Sequence, residues 1–327
     1  TASDDNDEIV TDLYPFYRLY KSGRVERFYD VPGYYYVEPS PYHPSNSVFS
    51  KDVSISPHVS ARLYLPAENT TNAQKLPVLI YYHGGGLVKD SATFNPIHDY
   101  VNSLASELNV VVVSVEYRLA PEVDVPTIYK DCWTALQWVS SHVDHEKSTI
   151  VNKDSWLANY GDFCRVFLAG DSAGGHLVYH MTMRAGKDVL NNMKITGSIL
   201  AYPYFLFPNL DIDEEGFAYR IWVSICPPLE SGLSSPIDSP FINPLSEKAP
   251  SLSGLACSRI LVCGGKKDEI IPLRIVDRFV EGVKENGWDG ELEYLEVDDG
   301  HAFQIFKPES EEAKRMMKRY ADFIYHK

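Results

Sequence analysis

The sequence predicts an α/β fold with a mostly parallel central sheet and helices on both faces. Three observations predict it. Apolar runs such as 76–82, 110–115 and 195–201 alternate with helical patterns along most of the chain, and alternating strands and helices build parallel sheets. The runs are apolar throughout, as expected of strands that are buried on both faces. Finally, a Gly-x-Ser-x-Gly sequence at 170–174 stands between an apolar run and a helical pattern.

Local patterns predict the elements in order. Residues 53–55 and 61–65 alternate between apolar and polar, which predicts antiparallel strands. The other predicted strands are 76–82, 110–115, 165–169, 195–201, 259–263 and 292–297, and the predicted helices are 96–108, 128–142, 173–185, 272–285 and 309–325.

Two segments interrupt the alternation of predicted strands and helices. Residues 31–48 are rich in Pro, Tyr and Ser and have no sustained period, and a long segment of this kind in a compact domain is usually functional or disordered. Residues 203–250 are rich in Pro, Ser, Asp and aromatic residues, with a helical pattern near 217–224. We predict one domain over 1–327, with 203–250 as a cap insertion between two strands of the sheet.

Composition excludes several classes of function. The formal net charge of −15 argues against nucleic acid and anionic membrane surfaces as partners, and no apolar run is long enough to span a bilayer. The chain contains no Walker loop, dinucleotide glycine fingerprint or metal cluster, so we predict no cofactor and no metal. Five cysteines without metal-ligand spacing predict reduced thiols and an intracellular compartment. The first residue is Thr1, which allows either the cytoplasm or a plastid, after processing of a precursor.

The Gly-x-Ser-x-Gly sequence predicts a nucleophile. Ser172 would lie at a sharp turn from strand to helix, where Gly170 and Gly174 permit a backbone without Cβ clashes. The amide of Ala173 would then be free to stabilise an oxyanion. The short motif alone is weak evidence, because such matches arise by chance.

A second motif supports this interpretation. His83 and the three glycines 84–86 follow the apolar run 76–82, in the loop where lipases and esterases place the rest of the oxyanion hole. We therefore predict the amides of Gly84 and Gly85 as further oxyanion donors, with His83 bracing the loop.

A serine nucleophile needs a base and an orienting acid. In hydrolases of this type these follow in the order serine, acid, histidine. Asp268 follows an apolar run and two glycines, and His301 follows the last predicted strand. We predict Asp268 as the acid, with Glu269 as the alternative, and His301 as the base.

These motifs, together with Glu116–Glu122, resemble those of plant carboxylesterase-like proteins in the hormone-sensitive-lipase branch of the α/β-hydrolases. The resemblance runs from about Leu13 to the C-terminus. It implies the α/β-hydrolase fold and an N-terminal segment, 1–48, that folds over the active site as a lid. The chain departs from the family in two places: Ala302 stands where the family usually has Gly, and Leu87 stands where it prefers an aromatic residue.

Aromatic and apolar residues near these motifs predict the substrate pocket. The predicted lining residues are Leu87, Tyr204, Phe205, Trp222, Ile271 and Phe303. The aromatic residues of the cap either line this pocket or fill a small core of the cap, and the sequence leaves both alternatives open.

The predicted function is serine-dependent acyl transfer from a small carboxylic ester, ending in hydrolysis. One alternative, suggested by tuliposide-converting relatives, is intramolecular transesterification of an acylated sugar, in which a hydroxyl of the substrate takes the acyl group and a lactone is released. The other is a binding protein resembling the gibberellin receptor. That receptor has lost the catalytic histidine, so His301 argues against this alternative. The resemblance also allows a homodimer.

Overall fold

A computed structural model of the chain describes residues 7–29, 34–42, 47–72, 74–143, 153–191, 193–229 and 231–326. The strands are β1 (Ile9–Leu13), β2 (Tyr17–Tyr20), β3 (Val25–Arg27), β4 (Tyr35–Tyr36), β5 (Val48–Ser56), β6 (Val59–Pro66), β7 (Leu76–Tyr82), β8 (Phe94–Asn95), β9 (Val111–Glu116), β10 (Gly161–Asp171), β11 (Ile195–Ala201), β12 (Cys257–Gly265) and β13 (Glu291–Val297). The helices are α1 (Asn69–Asn72), α2 (Ile97–Leu108), α3 (Val125–Ser140), α4 (Ser155–Tyr160), α5 (Ala173–Ala185), α6 (Phe217–Ile225), α7 (Leu273–Glu285), α8 (Phe303–Phe306) and α9 (Glu311–Tyr325).

The central sheet has eight strands in the order β13-β12-β11-β10-β7-β9-β6-β5. Strands β13 to β9 in this order are parallel to their neighbours, whereas β6 and β5 are antiparallel. The predicted α/β-hydrolase architecture and its antiparallel edge are therefore confirmed. Because the parallel strands run in one direction, their carboxyl ends meet at one edge of the sheet, where ligands bind in open α/β folds.

Strand β7 shows how an apolar run serves two cores. Val78, Ile80 and Tyr82 pack into a core that also contains residues of α3, α5 and α7. The alternate residues Leu79 and Tyr81 pack into a second core with α2 and α9. Successive side chains of a strand point to opposite faces, so this continuous run buries both faces of the sheet, as predicted.

Helices α3 and α9 begin at side-chain caps. The side chain of Asp124 accepts a hydrogen bond from the amide of Thr127 at 2.9 Å at the start of α3. Ser310 accepts one from the amide of Ala313 at 3.2 Å at the start of α9. Each cap satisfies one of the amides that lack an intrahelical acceptor. Among the described residues, none of the helices is both long and apolar enough to cross a bilayer.

The N-terminal segment has regular structure that its sequence did not predict. Strands β1, β2 and β3 form a small antiparallel sheet, and β4 pairs with β8. The guanidinium of Arg27 fastens this sheet to the body, because it pairs with Glu122 and donates to the carbonyl oxygens of Val88 and Ala120. The lid at 1–48 and the cap at 203–250 stay predictions. Residues 1–6, 30–33, 43–46 and 230 of these segments lie outside the described residues.

Candidate active site

Ser172 lies at the turn between β10 and α5. Its backbone has φ 54° and ψ −117°, a sparsely populated conformation for a residue with a side chain. The amide of Ser172 donates to the carbonyl oxygen of Ala201 at 2.8 Å, which ties the turn to the end of β11. A Cβ atom at Gly174 would lie 1.9 Å from the carbonyl oxygen of Tyr82. Only glycine therefore lets α5 approach β7 this closely.

The glycine loop after β7 packs against the nucleophile. A Cβ atom at Gly84 would lie 3.5 Å from Cβ of Ser172, and Gly85 has φ 95°, which favours glycine. Ala173 is the first residue of α5, and the first amides of a helix have no intrahelical acceptor. The structure thus brings the three predicted oxyanion donors to the surroundings of Ser172.

His83 braces this loop, as predicted. Its ring stacks on Tyr117 with centroids 4.3 Å apart, and the Tyr117 hydroxyl donates to the carbonyl oxygen of His83 at 2.7 Å. Burial lowers the pKa of His83 to about 4. The ring is therefore neutral at pH 7 and lies fully buried, which suits a structural role.

Asp268 and His301 form a hydrogen-bonded pair. Nδ1 of His301 lies 2.7 Å from Oδ2 of Asp268. The other carboxylate oxygen, Oδ1, accepts the amides of Ile270 at 2.9 Å and Ile271 at 2.8 Å. The carboxylate is fully buried, and the imidazole is 13% exposed. Three donors thus hold the carboxylate in one orientation behind the imidazole. Glu269, the alternative acid, is exposed.

Asp171, beside the nucleophile, is buried and hydrogen-bonded. The hydroxyl of Tyr81 donates to its Oδ1. Burial raises the pKa of Asp171, because the low-dielectric interior disfavours its charged form.

Ser172 and His301 line the same cavity of about 220 Å³ at the carboxyl edge of the sheet. The cavity is mainly apolar, and the N-terminal segment, the glycine loop, α6 and the loops after β12 and β13 all contribute to it. Its lining residues are Phe16, Tyr34, Gly85, Gly86, Asp90, Ile97, Asp171, Ser172, Tyr204, Phe217, Ala218, Ile221, Ile270, Ile271, His301, Ala302, Ile305 and Phe306.

The structure corrects the predicted pocket. Tyr204 and Ile271 line the cavity, but four other predicted residues are packed in the protein core instead: Leu87, Phe205, Trp222 and Phe303. Helix α6 shows the reason. Phe217, Ala218 and Ile221 share the face of the helix that lines the cavity. The next residue, Trp222, lies about 100° further around the helix, and its Nε1 donates to the carbonyl oxygen of Pro236 at 2.8 Å.

The backbone conformation at position 302 is one that glycine adopts more easily than alanine. Ala302 has φ 50° and ψ 26°, which is the left-handed region that glycine adopts without strain. The methyl group lines the cavity next to His301, so this chain has a slightly narrower pocket there than a glycine would give.

Tyr34 and Asp90 are cavity residues that the sequence did not indicate. Tyr34 belongs to the segment 31–48, which has no sustained helical or strand periodicity, and Asp90 is a single carboxylate four residues after Gly86. An acidic residue so soon after the glycine loop was the only available signal. Among the described residues, no group of three or more His, Cys, Asp and Glu is arranged to hold a metal.

Comparisons with known proteins agree with this geometry. The model of the alpha/beta hydrolase fold family matches residues 79–304. Catharanthine synthase of Catharanthus roseus is 41% identical, over 98% of this chain and 97% of the relative. Probable carboxylesterase 13 of Arabidopsis thaliana is 40% identical, over 97% and 98%. An esterase structure from Pyrobaculum calidifontis is 26% identical, with a TM-score of 0.62 over 87% and 86% of the two chains.

The family model spans more than half of the chain, and the plant relatives cover nearly all of it. Both results agree with the parallel sheet and with the serine at its carboxyl edge. The chain therefore belongs to the plant carboxylesterase-like family, in the hormone-sensitive-lipase branch of the α/β-hydrolases.

Proposed function

We propose that the protein hydrolyses a small carboxylic ester through an acyl-enzyme on Ser172. The observation that carries the proposal is the Asp268–His301 hydrogen bond of 2.7 Å at the wall of the cavity that Ser172 also lines. With its Nδ1 proton held by Asp268, the imidazole keeps the lone pair of Nε2 for the serine hydroxyl.

In the first half of the reaction, Oγ of Ser172 bonds to the carbonyl carbon while Nε2 of His301 takes the hydroxyl proton. The carbonyl oxygen becomes an oxyanion, which the amides of Gly84, Gly85 and Ala173 would stabilise. Removing one such donor typically costs about 3 kcal/mol in the transition state. The bond to the alcohol then breaks, and His301 returns the proton to the leaving oxygen.

In the second half, water attacks the acyl carbon and gives its proton to His301. The bond to Ser172 breaks, Oγ regains the proton, and the carboxylic acid leaves. None of these reaction steps requires a metal or an organic cofactor.

Transesterification within the substrate is the second candidate. A relative named as a synthase is as similar to this chain as the relative named as a carboxylesterase, so the names within the family are not confined to hydrolysis. In that reaction a hydroxyl of the substrate takes the place of water in the second half, and a lactone is released.

Product analysis in ¹⁸O-water tests both candidates. We expect ¹⁸O in the acid released from a short-acyl ester, and no turnover by Ser172→Ala. A 4-hydroxyacyl glucose ester that yields only unlabelled lactone would support transesterification instead. Turnover by Ser172→Ala at the wild-type rate would overturn the proposed nucleophile. The homodimer and the intracellular compartment remain predictions from the sequence.

A further inference from the structure

Asp90 is a carboxylate at the wall of the catalytic cavity. It lies at the end of the glycine loop, and its Oδ2 is 2.8 Å from the position that a Cβ of Gly85 would occupy. Its backbone has φ 73°, a left-handed conformation that Asp and Asn tolerate better than most residues. Oδ1 is buried and has no hydrogen-bond partner among the described residues. Loop packing therefore holds a carboxylate beside the reacting centre without using all of its acceptor capacity.

The groups around Asp90 leave this capacity available. Burial raises the pKa of Asp90 to about 6, although the charge of Lys89 and a hydrogen bond from the Tyr34 phenol both favour the charged carboxylate. The ammonium of Lys89 is directed elsewhere, since it donates to the carbonyl oxygen of Pro15 at 3.1 Å. Rotation about the Cβ–Cγ bond of an Asp is soft, so either oxygen can be presented to a ligand.

A cavity wall that contains a carboxylate oxygen without a partner favours a ligand that carries a hydrogen-bond donor. An ester without a hydrogen-bond donor would exclude water from the cavity and leave one oxygen of this carboxylate without a partner, which costs free energy. The described lining contains two carboxylates, Asp90 and Asp171, and no Lys or Arg, so an anionic group would be repelled.

The chemistry favours a neutral hydroxyl group over an ammonium group. An ammonium has up to three N–H donors to satisfy in a dry site. Apart from Asp90, the other carboxylate of the lining, Asp171, already accepts from Tyr81. A hydroxyl has one donor, which Asp90 can accept, and it leaves no N–H group without an acceptor. The Tyr34 phenol, whose single O–H donates to Asp90, would hold the carboxylate in place.

We propose that Asp90, together with Tyr34, forms a subsite that recognises a neutral hydroxyl group, so that the enzyme prefers hydroxylated carboxylic esters. Asp90 acts here on substrate choice and takes no part in the bond changes at Ser172. The inference rests on the proposed ester hydrolysis.

Matched esters test this subsite. The value of kcat/KM is measured for 3-hydroxypropyl acetate and for butyl acetate, which differ by one hydroxyl in place of a methyl group. A third ester, 3-(dimethylammonio)propyl acetate, carries a protonated amine. The enzymes are wild type, Asp90→Gly, Asp90→Asn, Tyr34→Phe and Asp99→Asn. Glycine and asparagine both tolerate the left-handed backbone of position 90. Asp99 is an exposed carboxylate on α2, so its variant controls for the change in net charge.

We expect Asp90→Gly to lower the ratio of kcat/KM for the hydroxyl ester over the butyl ester by about tenfold or more, the size of one hydrogen bond to a charged group. Asp90→Asn, which keeps an acceptor oxygen, and Tyr34→Phe should each lower it by less, and Asp99→Asn should leave it unchanged. Because the readout is a ratio within one enzyme sample, partial unfolding of a variant does not alter it.

Two results would overturn the subsite. The first is a ratio within twofold of wild type in Asp90→Gly. The second is an Asp90-dependent preference confined to the ammonium ester, which would make the site a cation site. Either result leaves ester hydrolysis intact if butyl acetate is still turned over. Failure of wild type on all three esters, and on p-nitrophenyl acetate, would instead remove the proposed function itself and this inference with it.

Discussion

Asp268→Asn is the substitution that separates orientation of the imidazole from simple removal of a side chain. In the structure, Oδ1 of Asp268 accepts two backbone amides and Oδ2 faces Nδ1 of His301. An asparagine must direct its single oxygen towards the two amides, because its NH₂ group cannot accept from them. Its NH₂ group therefore faces Nδ1 and donates to it.

This arrangement forces the wrong tautomer on His301. With Nδ1 accepting, the proton moves to Nε2, which then has no lone pair for the hydroxyl of Ser172. The same change in a serine protease lowers kcat by about 10⁴, which corresponds to about 5.4 kcal/mol in the barrier. Because both backbone hydrogen bonds persist, we expect the free energy of unfolding to change by less than about 1.5 kcal/mol.

The assay is kcat with p-nitrophenyl acetate, together with urea unfolding of each variant. Glu269→Gln is the matched control, since Glu269 is the adjacent, exposed carboxylate, and it should keep kcat within about twofold of wild type, as surface substitutions usually do. A folded Asp268→Asn enzyme that retains more than a tenth of the wild-type kcat would refute the reasoning. Loss of activity in Glu269→Gln alone would assign the acid to Glu269.

Three further predictions concern stability and the lid. Gly174→Ala should lower the free energy of unfolding in urea by more than about 4 kcal/mol, because the new Cβ would lie 1.9 Å from the carbonyl oxygen of Tyr82. The control is Gly254→Ala, whose Cβ meets only a side-chain carbon at 3.5 Å and which should cost less than about 1 kcal/mol. Burial raises the pKa of Glu116 to about 7, so the folded state binds the proton of this carboxyl group more tightly than the unfolded state does. The free energy of unfolding should therefore fall on the order of 1–3 kcal/mol as pH rises from 4.5 to 7. For Glu116→Gln the free energy of unfolding should fall less over this range, and an equal fall would contradict the raised pKa. Arg27→Ala releases the N-terminal sheet from the body, so if that segment is a lid, steady-state kinetics should show KM rising several-fold with kcat nearly constant; an unchanged KM would contradict the lid.

The sequence predicted much of the sheet because its signals are local. The buried run Leu76–Tyr82 has the predicted bounds, and so does the helix Ala173–Ala185. Each element is marked by an apolar run or a helical period, with glycine at its end. The N-terminal sheet was missed because its strands are short and half exposed, so they carry no continuous apolar run.

The candidate catalytic residues could be predicted for the same reason. Ser172, Asp268 and His301 each follow a strand of a parallel sheet, and such positions meet at one edge whatever the loop details. Their roles remain predictions until the variants are measured. The residues that line the cavity could not be predicted in this way. Trp222 and Ile221 are neighbours in sequence, yet only Ile221 lines the cavity.

The sequence by itself determined the order of strands and helices, the serine turn and the glycine loop, because strand periodicity and glycine's conformational freedom act over a few residues. The tertiary structure alone decided which aromatic residues face the cavity, that Ala302 adopts a left-handed backbone, and that the half-buried Asp90 lies beside Tyr34. Those properties depend on how distant segments pack together. A segment's own sequence does not encode which side of it a remote neighbour will cover.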